Sequence, residues 1–180
     1  MQKTNSRIVL RAEKIRNIQQ KDLQRLAGYS QEQLCKPAPN GGWSLIQVLN
    51  HLYLTQKGTI NFLEKQIADK NLLAEKITLR NRFNALFLAR ALKSNKKFKA
   101  PSRLPEPLND TDFGELKEKF EAMMANTMQI AEDFPKELEN KKIFKHPRAG
   151  WLNIFDVLNF IHDHWYHHEY QMASLEKELK

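Results

Sequence analysis

A chain of 180 residues, 41% hydrophobic and 28% charged, can build one domain around a packed core and is too apolar to stay disordered. Its single cysteine, Cys35, excludes an internal disulfide and a thiolate zinc cluster. The formal charge of +8 favours anionic neighbours without specifying a fold, and neither a secretory signal at Met1–Leu10 nor a run of about 20 apolar residues is present, so the cytoplasm is the default expectation.

The first helix is expected from Thr4 to Ala27, with Gly28 as its stop. Residues 29–42 form a connection rich in turn formers (Pro37, Pro39, Asn40, Gly41, Gly42), with a short helical turn after Ser30. The second helix has a sharp start. Ser44 is the N-cap, Gln47 completes a capping box, and Trp43 and Val48 form a hydrophobic staple. It should continue to about Ala68.

A third helix is expected over Ala74–Lys93 with the stripe Leu79, Phe83, Leu86 and Phe87. Pro101, Pro105 and Pro107 then forbid regular helix between Lys96 and Asp110. The fourth helix runs from near Thr111 to Asp133, with Phe113, Leu116, Phe120, Met123, Met124 and Met128 as its apolar positions, and Pro135 ends it. The last helix starts at Asn153, an N-cap with Asp156 three residues on and a Leu152–Val157 staple. Val48-Leu49-Asn50 is echoed by Val157-Leu158-Asn159, as expected of two helices entering one core. No convincing strand run appears, so the fold class is all-α, a helix bundle.

Four of the six histidines lie between His162 and His168. On the last helix, Val157, Ile161, His164, His168, Gln171 and Leu175 follow the spacing of an inward seam, which two imidazoles interrupt. Residues four apart on one helix face have Cβ atoms about 5–6 Å apart, close enough for two imidazoles to chelate one ion. A third ligand must come from another helix, and His51 is the candidate, although spacing alone does not select it. Three neutral nitrogen ligands would leave coordination positions open, as in catalytic sites. The same histidines also read as hydrogen-bonded core residues, or as part of a pH-sensitive surface, with His162 and His167 exposed.

The segment Gly42-Trp43-Ser44-Leu45-Ile46-Gln47-Val48-Leu49-Asn50-His51-Leu52 resembles the first signature of the DinB-like metal-binding bundle family. His164-Trp165-Tyr166-His167-His168-Glu169-Tyr170-Gln171 resembles its last, and His146–Trp151 resembles the approach to that motif. The resemblance implies a DinB-like four-helix bundle with a long crossover connection, residues 1–180 being a single domain, often dimeric. It implies a zinc or nickel ion on His51, His164 and His168. Relatives include metal-dependent thiol transferases that use low-molecular-weight thiols, a thiol-dependent isomerase and proposed hydrolases. The function expected is therefore a divalent-metal-binding bundle acting on a small molecule as a thiol transferase or hydrolase. The alternative is a non-catalytic metal-binding interaction or sensor module. Relatives often carry an acidic residue five positions after the first histidine. Here that position is Gln56, which cannot act as a general base and otherwise reads as a solvated helix position.

Gln171 is a candidate to orient a ligand from behind, or a buried polar residue bonded to another helix. Asp163 and Glu169 read as surface charges. Trp43 and Trp151 read as packing anchors, Tyr166 and Tyr170 as packing or interface residues, and Met123, Met124 and Met128 as core. Cys35 falls in a loop without an activating partner. Nine basic residues and no acidic one lie between Lys76 and Arg103: Lys76, Arg80, Arg82, Arg90, Lys93, Lys96, Lys97, Lys99 and Arg103. They read as a solvated face, or as an anion-binding surface for nucleic acid, anionic lipid or an acidic cosubstrate. No nucleic-acid motif accompanies them, and nucleic acid is not an expected partner.

Overall fold

A computed structural model describes residues 6–39, 41–69, 75–94 and 106–179. Its elements are α1 (Ser6–Leu26), α2 (Gln31–Cys35), α3 (Leu45–Ala68), α4 (Leu79–Leu92), α5 (Phe113–Asp133), a 3-10 turn (Lys136–Leu138), β1 (Phe144–His146), β2 (Gly150–Leu152) and α6 (Ile154–Lys177). The fold is an all-α bundle of α1, α3, α5 and α6. Helix α1 packs on α5 and α6, and so does α3, which places α1 and α3 across a diagonal. Helix α2, between α1 and α3 in the chain, packs on α3.

Caps set the helix starts. Ser30 and Ser44 each accept from the backbone N–H three residues on, and Gln33 and Gln47 return the bond to the cap backbone. Asn153 accepts from the Asp156 N–H. Such caps contribute about 1 kcal/mol each. Segment 107–111 is fastened to the start of α3. The Asn50 amide donates to Leu108 O and Thr111 Oγ1, and the Gln47 amide donates to Pro107 O.

Two buried apolar clusters fill the bundle. One unites Ile8, Ile15, Ile60, Leu63, Leu152, Val157, Leu158 and Ile161. The other unites Leu23, Leu26, Val48, Leu49, Leu116, Phe120, Trp165 and Met172. The Val-Leu-Asn echo therefore serves different clusters at its two occurrences rather than one.

Two expectations need correction. Residues 144–146 and 150–152 form an antiparallel hairpin, His146 opposite Gly150. Three-residue strands are too short to carry a period-2 signal, and the hairpin depends on Gly150 at φ +74 and on His146 Nδ1, which accepts from the Arg148 and Ala149 N–H groups. The third helix, α4, begins at Leu79 behind a Thr78 cap, and residues 75–78, expected to be helical, are not. Its stripe Leu79, Phe83, Leu86 and Phe87 faces outward, while Ala85, Leu88 and Leu92 on the opposite face pack on the core. The helix is apolar on both faces, so periodicity could not tell which one is buried.

Thr4, Asn40, Ala74, Lys96, Lys97, Lys99, Pro101, Arg103 and Pro105 lie outside the described residues. No helix among the described residues is long and apolar enough to cross a membrane.

Candidate metal centre

Helix α3 carries His51 in its second turn and α6 carries His164 and His168 one turn apart. Packing of α3 on α6 brings the three imidazoles together. Their ring centroids form a nearly equilateral triangle with sides of 5.1 Å (His51–His164), 5.0 Å (His51–His168) and 4.9 Å (His164–His168). One ligand nitrogen from each ring lies within 4.8 Å of the others, so the cluster could hold a metal ion.

The distances fit such an ion. His51 Nε2 and His164 Nε2 are 3.2 Å apart. Two nitrogens bound at ~2.0–2.1 Å with a tetrahedral angle would lie roughly 3.3–3.4 Å apart. Protonation also fits. Burial lowers the pKa of His51 to about 4. It lowers that of His168 to about 4 as well, against the raising effect of the Gln171 bond. His164 is held well below its ordinary value, by burial first and then by the neighbouring histidines. All three rings are therefore neutral near pH 7 and offer lone pairs.

Gln171 Oε1 lies 2.9 Å from His168 Nδ1. The amide oxygen can only accept, so the ring proton sits on Nδ1 and Nε2 is left as the donor atom toward the cluster. Gln171 thus bonds to the histidine on its own helix rather than to another helix. Trp43 lies against His51 with centroids 5.2 Å apart, and Phe160 stacks on His164 at 5.5 Å.

Below the cluster the structure departs from the sequence reading. Gln56 is not solvated; it is 3% exposed. Its Oε1 accepts from the Gln19 amide at 2.6 Å, and its own amide donates to Thr127 Oγ1 at 3.3 Å. A cavity of about 10 Å³, room for about one water, lies between Leu52, Thr55, Gln56, Ile161 and His164. Asp163 is likewise buried rather than a surface charge, pairing with Lys93 at 3.3 Å and with His162 Nδ1 at 3.0 Å. Neither His162 nor His167 is a free surface group, since His167 Nδ1 bonds Leu92 O at 2.9 Å. Glu169 is partly buried and reaches Lys21 at 3.5 Å. Cys35 closes α2 rather than lying in a loop.

Gln19, Asp22, Arg25 and Glu176, which have no role in the sequence reading, also bear on the site. Asp22, fully buried on α1, accepts from the Trp165 indole N–H at 2.8 Å and from Arg25 at 2.9 Å, and Arg25 also pairs with Glu176. This network fixes Trp165 beside His164. Gln19 and Asp22 fall on the α1 seam of Ile8, Ala12, Ile15, Leu23 and Leu26, and a polar residue on an apolar seam was the available signal. His146 packs edge-on against Phe160 at 4.7 Å, and burial holds its pKa at about 4.

The family model of the DinB superfamily matches residues 15–172, a span that includes all three histidines, Gln56 and Gln171. No curated protein and no solved structure matches the chain.

Proposed function

The chain belongs to the DinB superfamily, and from that membership and the imidazole triangle we propose that it binds a divalent ion, zinc or nickel, through His51, His164 and His168. The observation that carries this reading is the convergence of three neutral rings from two helices, with one Nε2 pair at the spacing of adjacent tetrahedral ligands.

In this reading the protein is a metal-dependent enzyme acting on a small molecule, as a thiol transferase or hydrolase. The described groups that could hold an ion include no carboxylate, so the ligand set carries no charge. An ion there would keep its full positive charge and supply Lewis acidity toward a thiol or water. The residues do the rest. His51, His164 and His168 anchor, Gln171 sets the His168 tautomer, and Trp43 and Phe160 restrict the space around the rings. The same reading takes residues 1–180 as one domain, pairing as a homodimer in the cytoplasm.

One observation favours a second reading. Gln56 is neutral and its side chain is committed to Gln19 and Thr127, so no general base stands at that position. An ion held by the three histidines would acidify a thiol without a base at that position, and a non-catalytic metal-binding sensor or interaction module needs no base either.

Elemental analysis of untagged protein tests the proposal. Stoichiometric zinc or nickel is expected in the wild type and little in His164→Ala. A metal-free wild type whose melting temperature does not rise with added zinc or nickel would end it. Turnover with low-molecular-weight thiols, lost in the same variant, separates enzyme from sensor.

A further inference from the structure

Helix α4 is held by one face only. Ala85, Leu88 and Leu92 pack inward, while Leu79, Phe83, Leu86 and Phe87 are 60–76% exposed. At 100° per residue these four make one ridge along the outer side. Arg80 and Arg82 stand on its two shoulders, and Arg90 continues it one turn beyond Leu86 and Phe87. The helix contains no Asp or Glu. Arg82 feels the Asp156 carboxylate, whereas no carboxylate among the described residues pairs with Arg80 or Arg90.

We infer that the outer face of α4 docks on an anionic lipid surface. Solvent is a poor neighbour for four large apolar side chains on one strip, so the ridge has a partner. Arg80 and Arg90, which no carboxylate among the described residues pairs with, ask for a negative one. A second copy of this chain is disfavoured, because face-to-face pairing would set these arginines against their equivalents. The homodimer proposed above must then use another face. The ridge is also convex, so a rigid protein partner would need a matching groove. The headgroup boundary of a bilayer accepts Phe and Leu without one, while arginines at the same level meet lipid phosphates. The inference does not depend on the metal centre.

Vesicle flotation of the full-length protein tests it. Vesicles of equal parts phosphatidylglycerol and phosphatidylcholine should carry the protein with roughly a hundredfold preference over phosphatidylcholine alone, and high salt should weaken this binding. The double variant Phe83→Asp/Phe87→Asp should lose at least about tenfold in binding with an unchanged melting temperature, because both side chains are exposed. Arg80→Glu/Arg90→Glu should abolish the preference for anionic vesicles. Failure to float with anionic vesicles overturns the inference, as does binding that both variants leave intact. A concentration-dependent dimer that Phe83→Asp/Phe87→Asp dissolves, in protein that ignores vesicles, assigns the ridge to a second copy and overturns it too.

Discussion

Gln171 Oε1 sits 2.9 Å from Nδ1 of His168, one turn further along the same helix. The bond decides which nitrogen of His168 is free and holds the ring's rotation. Removing such a partner usually costs 10–100-fold in metal affinity. Gln171→Ala is therefore expected to weaken zinc or nickel binding by about that factor while leaving the fold intact. Competition with a chromophoric chelator measures it. Gln171→Glu, which still accepts from Nδ1–H, should restore most of the loss, whereas a purely packing role would give no rescue.

The lowered histidine pKa values fix the direction of the pH dependence. Unfolded histidines take up protons near pH 6.5, while folded His51 and His168 do so only near pH 4. Between those values the unfolded state holds more protons. The stability of metal-free protein is thus full above about pH 6.5 and is lost as pH falls toward 4, by up to about 1.4 kcal/mol per pH unit for each histidine. Urea titrations of chelator-treated protein at several pH values measure the slope. His51→Leu should flatten it, and an unchanged slope would contradict the burial of that ring as a neutral group.

The Gln19–Gln56–Thr127 network is a stability element rather than a solvated surface. Gln56→Leu leaves the buried Gln19 amide without its acceptor and is expected to cost about 1–3 kcal/mol. Adding Gln19→Leu should recover part of that, because no orphan amide then remains. Chemical denaturation of the two single variants and the double variant checks this; strictly additive losses would show that the two side chains do not act as a pair.

Asp22 holds Trp165 and Arg25 at once. Asp22→Ala strands a buried indole N–H and removes one of the two carboxylates on Arg25, so about 3 kcal/mol of destabilisation is expected. Trp165 follows His164 directly, so metal affinity should drop along with stability. Near-ultraviolet circular dichroism together with metal titration checks both. A stable variant with an unaltered tryptophan spectrum would contradict the role given to Asp22.

Helix boundaries were largely legible because they are local. Ser30, Ser44 and Asn153 cap through bonds that reach only three residues, and the structure places them as the pattern indicates. The inward seam of α6 was legible as far as Val157 and Ile161, which are buried, and His164 and His168 share a face because 3.6 residues make a turn. Choosing His51 as the third member needed the family resemblance, since it lies 113 positions from His164.

Four matters lay beyond local pattern. Helix α4 has two apolar faces, and only its docking on α6 decided which one is covered. Gln56 looks like a surface glutamine until Gln19 and Thr127 arrive from α1 and α5 to bond it. Asp163 looks like a surface acid until Lys93 is brought to it. The hairpin at 144–152 depends on one glycine and one histidine ring. The sequence by itself determined the four bundle helices, the caps at Ser44 and Asn153 and the pairing of two histidines on one face, because those follow from bonds and spacings within a few residues. Only the tertiary structure decided which polar groups are buried and what each one bonds, because desolvation and hydrogen-bond satisfaction are set by neighbours far away in the chain.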